Sequence, residues 1–308
     1  MTDKPDNNNI LEFPMPGSDR LQTFQLEKSL IRGRIIRLGD VLNQILNPHD
    51  YPPAVAQVVA EGALLALLLS SMLKYDGVFT LQIQGDGPVA MMVADVRNHT
   101  EVRACATLRK DRIAGLHDDA DLQSLFGKGY IAFTVDQGSH TERYQGIVEL
   151  QGATLAESVT HYFTQSEQLR TYLRVAARRD DAGAWSAGGI MIQSLPLETN
   201  AIQDEIHLMY EEDWGRAQIL LSSVTNDELV DDRLHENTVL YRLFHQEEVR
   251  VYPAQSVTKG CRCTIEKLEN ILAMMPADDR RDMAEDGKIT MSCEFCSKDF
   301  TFNAETIK

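Results

Sequence analysis

Four of the five cysteines fall after position 260, as Cys261-Arg262-Cys263 and Cys293-Glu294-Phe295-Cys296, a CxC and a CxxC with 29 residues between them. Each pair presents two thiolates from one short stretch of chain, and two such pairs supply the four soft ligands of tetrahedral zinc. Pairs this tight point to a metal site rather than to four core thiols. Four thiolates fill the coordination sphere, so no position is left for a water and a hydrolytic zinc mechanism has no starting point. The expectation is one structural Zn2+ per chain. A unit of about 50 residues has too small a core to fold dependably without metals or disulfides. Structural zinc contributes on the order of 10 to 16 kcal/mol, as much as a whole domain's stability. Removing the metal should therefore unfold the C-terminal unit.

Zinc-bound sulfur keeps thiolate character, and thiolates are what oxidants attack. Cys293 and Cys296 can close a local disulfide, and Cys261 and Cys263 a tighter, strained one. Such short loops do not replace the metal as a tie between the pairs. The residues alone permit either a constitutive structural zinc or one released by oxidation.

A length of 308 residues suggests about two domains, and 43% hydrophobic residues can bury a sizeable core. The first 195 residues read as one α+β domain with an extended antiparallel sheet. After Pro52-Pro53, the segment Ala54 to Leu73 predicts a buried central helix, too interrupted by polar residues for a membrane span. Alternation predicts strands at Phe79 to Ile83, Val89 to Val93, Val102 to Leu108, Tyr130 to Val135, Tyr144 to Leu150, Thr171 to Ala176 and Gly189 to Leu195, with a helix from Leu155 to Phe163. Strands in succession favour antiparallel pairing.

From Pro196 to Glu248 there are thirteen acids against three Arg, and spaced apolar residues among them. This predicts several helices lying over a neighbour, marginal alone because of their charge. Thr225 and Glu228 fit a capping box. The last 50 or so residues predict a helix from Thr264 to Met275, a short second helix and a hairpin-like end near Cys293 to Phe302. The domain organisation is then a flexible extension over residues 1–20, an α+β core domain over 21–196, an acidic helical linker over 197–258 and a small zinc-binding unit over 259–308.

A formal charge of -16 repels phosphate backbones and anionic membrane surfaces, so neither nucleic acid nor membrane is an expected partner. The Pro- and Asn-rich start, residues 1–19, has no apolar run of signal-peptide type and predicts a cytoplasmic chain. Cys105 sits in an alternating pattern and reads as a packed core thiol. Gly85-Asp86-Gly87 reads as a turn, because no lysine-bearing loop accompanies it, and no nucleotide is expected. His140, His161, His207 and His245 are scattered without a catalytic partner motif. Lys259, Arg262 and Lys298 flank the cysteines, either as solvated surface or offsetting the net charge of a zinc tetrathiolate.

From about Leu26 onward the chain resembles the bacterial redox-regulated heat-shock holdases, the 33 kDa chaperonin family. The resemblance is carried by Asp50-Tyr51-Pro52, Leu73-Lys74-Tyr75-Asp76-Gly77, Gln82-Ile83-Gln84-Gly85-Asp86-Gly87-Pro88, Arg143-Tyr144-Gln145-Gly146, Ser166-Glu167-Gln168-Leu169 and Ala187-Gly188-Gly189. It continues through Leu243-Phe244-His245, Glu247-Glu248-Val249, the four cysteines, Ala284-Glu285-Asp286-Gly287 and Phe302-Asn303-Ala304. The resemblance implies a stress-response chaperone, not an enzyme, inactive while reduced, zinc-bound and monomeric. Oxidation in that family pairs the cysteines, here Cys261 with Cys263 and Cys293 with Cys296, releases zinc and unfolds the linker, here Leu197 to Thr258. The protein then dimerises and holds unfolding client proteins without ATP. A linker kept folded mainly by docking on the zinc domain needs to lose only a few kcal/mol for its equilibrium to reverse. The N-terminal extension and Cys105 depart from the pattern.

Two other classes compete. A constitutive zinc-ribbon interaction module predicts a basic surround, whereas residues 261–308 carry ten acids against seven bases. A zinc or thiol enzyme predicts an open coordination position or turnover with a small disulfide.

Overall fold

The computed structural model describes residues 17–137, 144–163, 169–195, 204–304 and 307. Most of the expected N-terminal extension, the beginning of the acidic segment (196–203), His140 and parts of two resemblance motifs (Arg143 and residues 166–168) lie outside the described residues.

The chain opens with β1 (Arg20–Leu26), β2 (Ile31–Leu38), α1 (Asp40–Leu46) and α2 (Pro53–Ser70). There follow β3 (Val78–Gly85), β4 (Val89–Arg97), β5 (Glu101–Leu108), α3 (Leu122–Phe126), β6 (Gly129–Asp136), β7 (Tyr144–Glu149), α4 (Leu155–Tyr162), β8 (Thr171–Arg179) and β9 (Trp185–Ser194). Within the second sheet β5-β4-β3-β6-β7 pair antiparallel throughout, as strands in succession predict, although the short α3 lies between β5 and β6. The first runs β1-β2-β9-β8, of which β1 and β2 are not among the strands that the sequence predicts.

Pro53 opens α2 at its first turn, where a missing N–H costs nothing. Residues Gly62 to Ser70 are buried without exception, because α2 lies between the sheets against β4, β5, β8 and β9. Among the described residues it alone has the length and hydropathy of a membrane span, and 83% of it is buried in the protein. It is the predicted core helix. Phe79, Leu81 and Ile83 of β3 turn onto the same core.

The acidic segment forms α5 (Asp204–Ser222), α6 (Asn226–Val230) and α7 (Glu236–Phe244), then β10 (Val249–Val251), β11 (Gln255–Ser256) and β12 (Thr258–Lys259). The Thr225 and Glu228 capping box is formed as predicted. The helices lie on the outer face of the first sheet. Trp214, Leu221, Leu229, Leu240 and Phe244 share a second core with Phe24, Leu26, Ile35, Ile190 and Ile192, and Phe24 and Phe244 stack at 5.8 Å. This corrects the expectation that the segment docks mainly on the zinc unit: the apolar face it covers belongs to β1, β2, β9 and β8. Gly188 shows how close the approach is, since a Cβ there would lie 1.9 Å from the Leu229 carbonyl oxygen. Buried Arg37 on β2 donates to the carbonyls of Leu229 (3.1 Å), Glu228 (2.8 Å) and Leu234. Arg170 pairs with Glu211 and Arg178 with Asp227, so a basic sheet face answers the acidic helices.

The C-terminal unit comprises α8 (Ile265–Met274), α9 (Ala277–Asp282) and the hairpin of β13 (Lys288–Ser292) and β14 (Asp299–Asn303). Its fully packed apolar core is Leu272, Ile289, Phe300, Phe302 and Ile307.

Candidate metal centre

Cys261 and Cys263 lie in the irregular stretch between β12 and α8, and Cys293 and Cys296 lie in the β13–β14 turn. In that turn Cys296 N and Ser297 N both donate to the Cys293 carbonyl, at 3.3 and 2.8 Å. Ser297 takes φ 52°, and Cys293 N closes the loop on the Lys298 carbonyl at 3.0 Å. The two turns face each other. Sulfur separations are 3.4 Å for Cys261 and Cys263, 3.5 Å for Cys263 and Cys296, and 3.7 Å for Cys261 and Cys293. All four sulfurs lie within 4.8 Å of one another. A tetrahedron with metal–sulfur bonds of about 2.3 Å has sulfur edges of about 3.8 Å, whereas a disulfide needs about 2.05 Å. The arrangement is that of four thiols gathered as ligands. Four soft donors at tetrahedral spacing fit zinc, and the residues that would hold it are the four predicted from spacing.

The electrostatics agree. Burial works against the Cys261 thiolate, but hydrogen bonds from the Cys263 backbone and the neighbouring thiols outweigh it and bring its pKa down to about 7. Burial and the adjacent sulfurs push Cys263 and Cys293 upward. Without a cation, one thiolate solvated by its neighbours is favoured; only a positive ion makes a set of adjacent thiolates stable.

The residues framed by the cysteines tie the centre to the second sheet. Arg262 Nη2 donates to Asp95 Oδ2 on β4 at 2.7 Å, and Arg103 on β5 donates to the same oxygen at 2.6 Å. Asp95 also accepts from Thr80 Oγ1 at 2.7 Å. Arg103 in turn lies over the Phe295 ring, 3.8 Å from its centroid. His49 reaches the Phe295 carbonyl (3.4 Å) and Ser297 Oγ (3.1 Å), and Thr107 donates to Glu294 at 3.4 Å. Both cysteine pairs thus grip one patch of the core domain. Of the flanking cations, Arg262 is this bridge, Lys259 donates to the Gln44 carbonyl at 2.7 Å, and Lys298 lies over Phe300. Asp95, Arg103 and His49 carried no signal in the sequence, since each reads as an ordinary strand or loop residue until the sheets are assembled. Cys105 is buried in β5, apart from the four.

Comparison with known proteins adds what the geometry lacks. The family model described as Hsp33 protein matches residues 19–303. The chain belongs to the Hsp33 family. Proteins named 33 kDa chaperonin from Escherichia coli O7:K1 (strain IAI39 / ExPEC) and from E. coli strain K12 / DH10B are each 38% identical over 295 residues, 95% of both chains. A crystal structure of the 33 kDa chaperonin (heat shock protein 33 homolog) from Thermotoga maritima superposes with a TM-score of 0.78 at 21% identity, covering 94% of this chain and 96% of that one, and so shares the fold. Membership in the Hsp33 family supports a chaperone role and the binding of client proteins, and places the mixed helix and sheet core, the helical middle and the C-terminal cysteine cluster in a known architecture.

Proposed function

We propose that the protein is a redox-regulated, ATP-independent holdase whose reduced, zinc-bound form is the resting state. Zinc would be held by Cys261, Cys263, Cys293 and Cys296, one ion per chain, tying the two turns together. Peroxide converts each pair, Cys261 with Cys263 and Cys293 with Cys296, to a disulfide: two thiols and one peroxide give one disulfide and two waters. Two peroxides per chain remove all four ligands, and zinc leaves. The sulfur spacings leave the pairing open, and the family resemblance is what assigns it.

The observation that carries this reading is that the cysteine turns and the acidic segment are one continuous device. β12 ends at Lys259 and Cys261 follows two residues later. Loss of the turns withdraws Arg262 and Phe295 from Asp95 and Arg103, and with them β12 from β5. The helices upstream cover an apolar face of Phe24, Leu26, Ile35, Ile190 and Ile192. Exposing such a face gives an unfolding client an apolar surface to hold. The held state is expected to be a homodimer in the cytoplasm, without nucleotide, nucleic acid, membrane or catalytic turnover.

The test treats the reduced, zinc-loaded chain with peroxide at raised temperature and follows zinc release, light-scattering mass and suppression of aggregation of a heat-unfolded protein without ATP. Zinc loss, dimerisation and protection appearing together, reversed by reductant and absent in Cys296→Ser, support the reading. Zinc loss without protection sinks it and leaves a structural zinc site vulnerable to damage.

A further inference from the structure

The chain between Glu247 and Gly260 closes one edge of each sheet. Lys28 N donates to the Glu247 carbonyl (3.4 Å), Glu27 N to that of Glu248 (3.1 Å), Tyr252 N to that of Thr23 (3.0 Å) and Val257 N to that of Asp19 (2.8 Å). Between these, β10 pairs with Phe24 to Leu26 and β11 with Arg20 and Leu21, both antiparallel. The strap then crosses to the second sheet, where Thr258 N donates to the carbonyl of Thr100 (2.9 Å), just before β5, and Gly260 N to that of Val102 (2.8 Å) on β5, and Cys261 follows. Movement of the first cysteine pair therefore pulls directly on the segment that seals β1.

This strap is held chiefly by its main chain. From Arg250 to Ser256 every residue is exposed, and Val257 is the buried anchor. An edge recognised this way has no sequence code, because every polypeptide offers the same N–H and C=O groups. In the resting state the edge is blunted by a three-residue β10 that ends two residues before Pro253, the means by which sheets avoid adding strands. Without the strap, seven-residue β1 presents its donors and acceptors to solvent. Thr23 and Glu27 already bond outward, and alternation puts Gln25 between them on the same side. Phe24 and Leu26 point to the face that the helices cover.

We infer that, once the strap and helices are released, the β1 edge from Asp19 to Lys28 takes an extended segment of a client polypeptide in place of β10 and β11. The added strand lays alternate apolar side chains beside Phe24 and Leu26. The inference rests on the proposed release of the linker and names how the client is then held. A second copy of the chain offering its own strap is the competing occupant; beyond the main-chain ladder it would bring the exposed Arg250–Glu27 ion pair (2.9 Å) and the Tyr252 hydroxyl on Gln25 (3.3 Å), contacts that water screens.

The ladder geometry makes the test sharp. In an antiparallel pair, residues that bond to the neighbour share a face with their opposite numbers. A client residue bonding β1 therefore lies on the Thr23 and Gln25 face, and one lying beside Phe24 and Leu26 turns its N–H outward. The probe is a fluorescent peptide of about eight residues alternating Val and Thr, measured by anisotropy against the full chain, reduced with zinc or oxidised without it. Binding is expected to the oxidised form alone. N-methylation of the Thr residues should weaken it about tenfold or more, and N-methylation of the Val residues by no more than about twofold, since only the former removes bonds to β1. Gln25→Pro, which deletes an outward N–H while sparing the pairing with β2, should also weaken it. Equal effects of the two methylations, or none, overturn the inference and leave side-chain capture on the apolar face. Loss of peptide binding in step with dimer formation on raising protein concentration assigns the edge to a second copy and also overturns it. Zinc release and aggregation protection are read on the same samples: if these are absent, the proposed function fails and the inference with it; if present without the methylation pattern, the inference alone fails.

Discussion

Asp95 and Arg262 meet at 2.7 Å across the join between core domain and cysteine unit, and the carboxylate that receives Arg262 also holds Arg103, the cation lying over Phe295. One acidic side chain, 10% exposed, thus anchors the residue inside each cysteine pair. Asp95→Asn keeps the shape and removes the charge, leaving two arginines poorly compensated. Both are partly exposed, so water screens much of the loss and about 1 to 3 kcal/mol of docking is expected to go. Hydrogen exchange at Thr258 and Gly260 should quicken, and zinc should leave at lower peroxide or temperature, while β3, β4 and β6 keep their protection. Unchanged exchange at these two amides would show that the bridge does not hold the unit down.

Arg37 makes the corresponding anchor on the other sheet. It is 2% exposed and donates to three carbonyls of the acidic segment. Arg37→Met leaves those carbonyls unpaired under α6 and is expected to cost about 3 to 5 kcal/mol. Protection of α6 and α7 should collapse in exchange measurements, and dye binding to exposed apolar surface should rise in the reduced, zinc-loaded protein. Arg37→Lys, which cannot span the same carbonyls from a planar fork, should fall between. A wild-type exchange pattern in Arg37→Met would remove Arg37 from the account.

These two anchors also show where sequence reading stops. The cysteine centre was legible because ligand spacing is local, and β3 to β8 with the second half of β9 because short apolar or alternating runs mark them, whereas the first half of β9 carries small residues. β2 was not, because Arg34 and Arg37 occupy core positions of that strand: Arg34 bonds the Ser71 carbonyl and Arg37 the acidic segment, so the apolar pattern is broken where the packing is tightest. β10 to β12 are two or three residues long and exposed, so they carry no periodicity; their pairing is imposed by the strands they cover. The acidic charge of residues 196–248 suggested self-repulsion, and its compensation by Arg170, Arg178 and Arg37 appears only when β8 and β2 come together.

Cys105 tests the separation of core thiol from ligand thiols. Burial pushes its pKa up to about 12, with Glu294 adding to the rise. At pH 8 about one molecule in ten thousand would carry the thiolate, so alkylation should be negligible while the fold is intact. Iodoacetamide at pH 8 with a zinc chelator should add four carbamidomethyl groups per native chain and a fifth only in denaturant, with mass spectrometry placing the fifth at Cys105. Labelling of Cys105 before the others would overturn its assignment as a packed thiol.

Metal removal should act on the C-terminal unit first, since among the described residues its core holds five buried apolar side chains with a few half-buried ones against them and cannot offset the ordering of about 50 residues. Chelation of the reduced protein should abolish protection in β13, β14 and α8 while α2 and the central strands remain protected. Acid should work the same way. Metal binding drives protons off thiols, and Cys263 and Cys293, pushed upward, bring theirs to the event; Cys261, near 7, joins them as pH falls below that value. The apparent zinc affinity should therefore weaken as pH drops, and more steeply below about pH 7, where each further proton displaced costs a factor of about ten per pH unit. Calorimetry in buffers of different ionisation heat counts those protons directly. An affinity indifferent to pH between 6 and 8 would mean that thiolates are not the ligands.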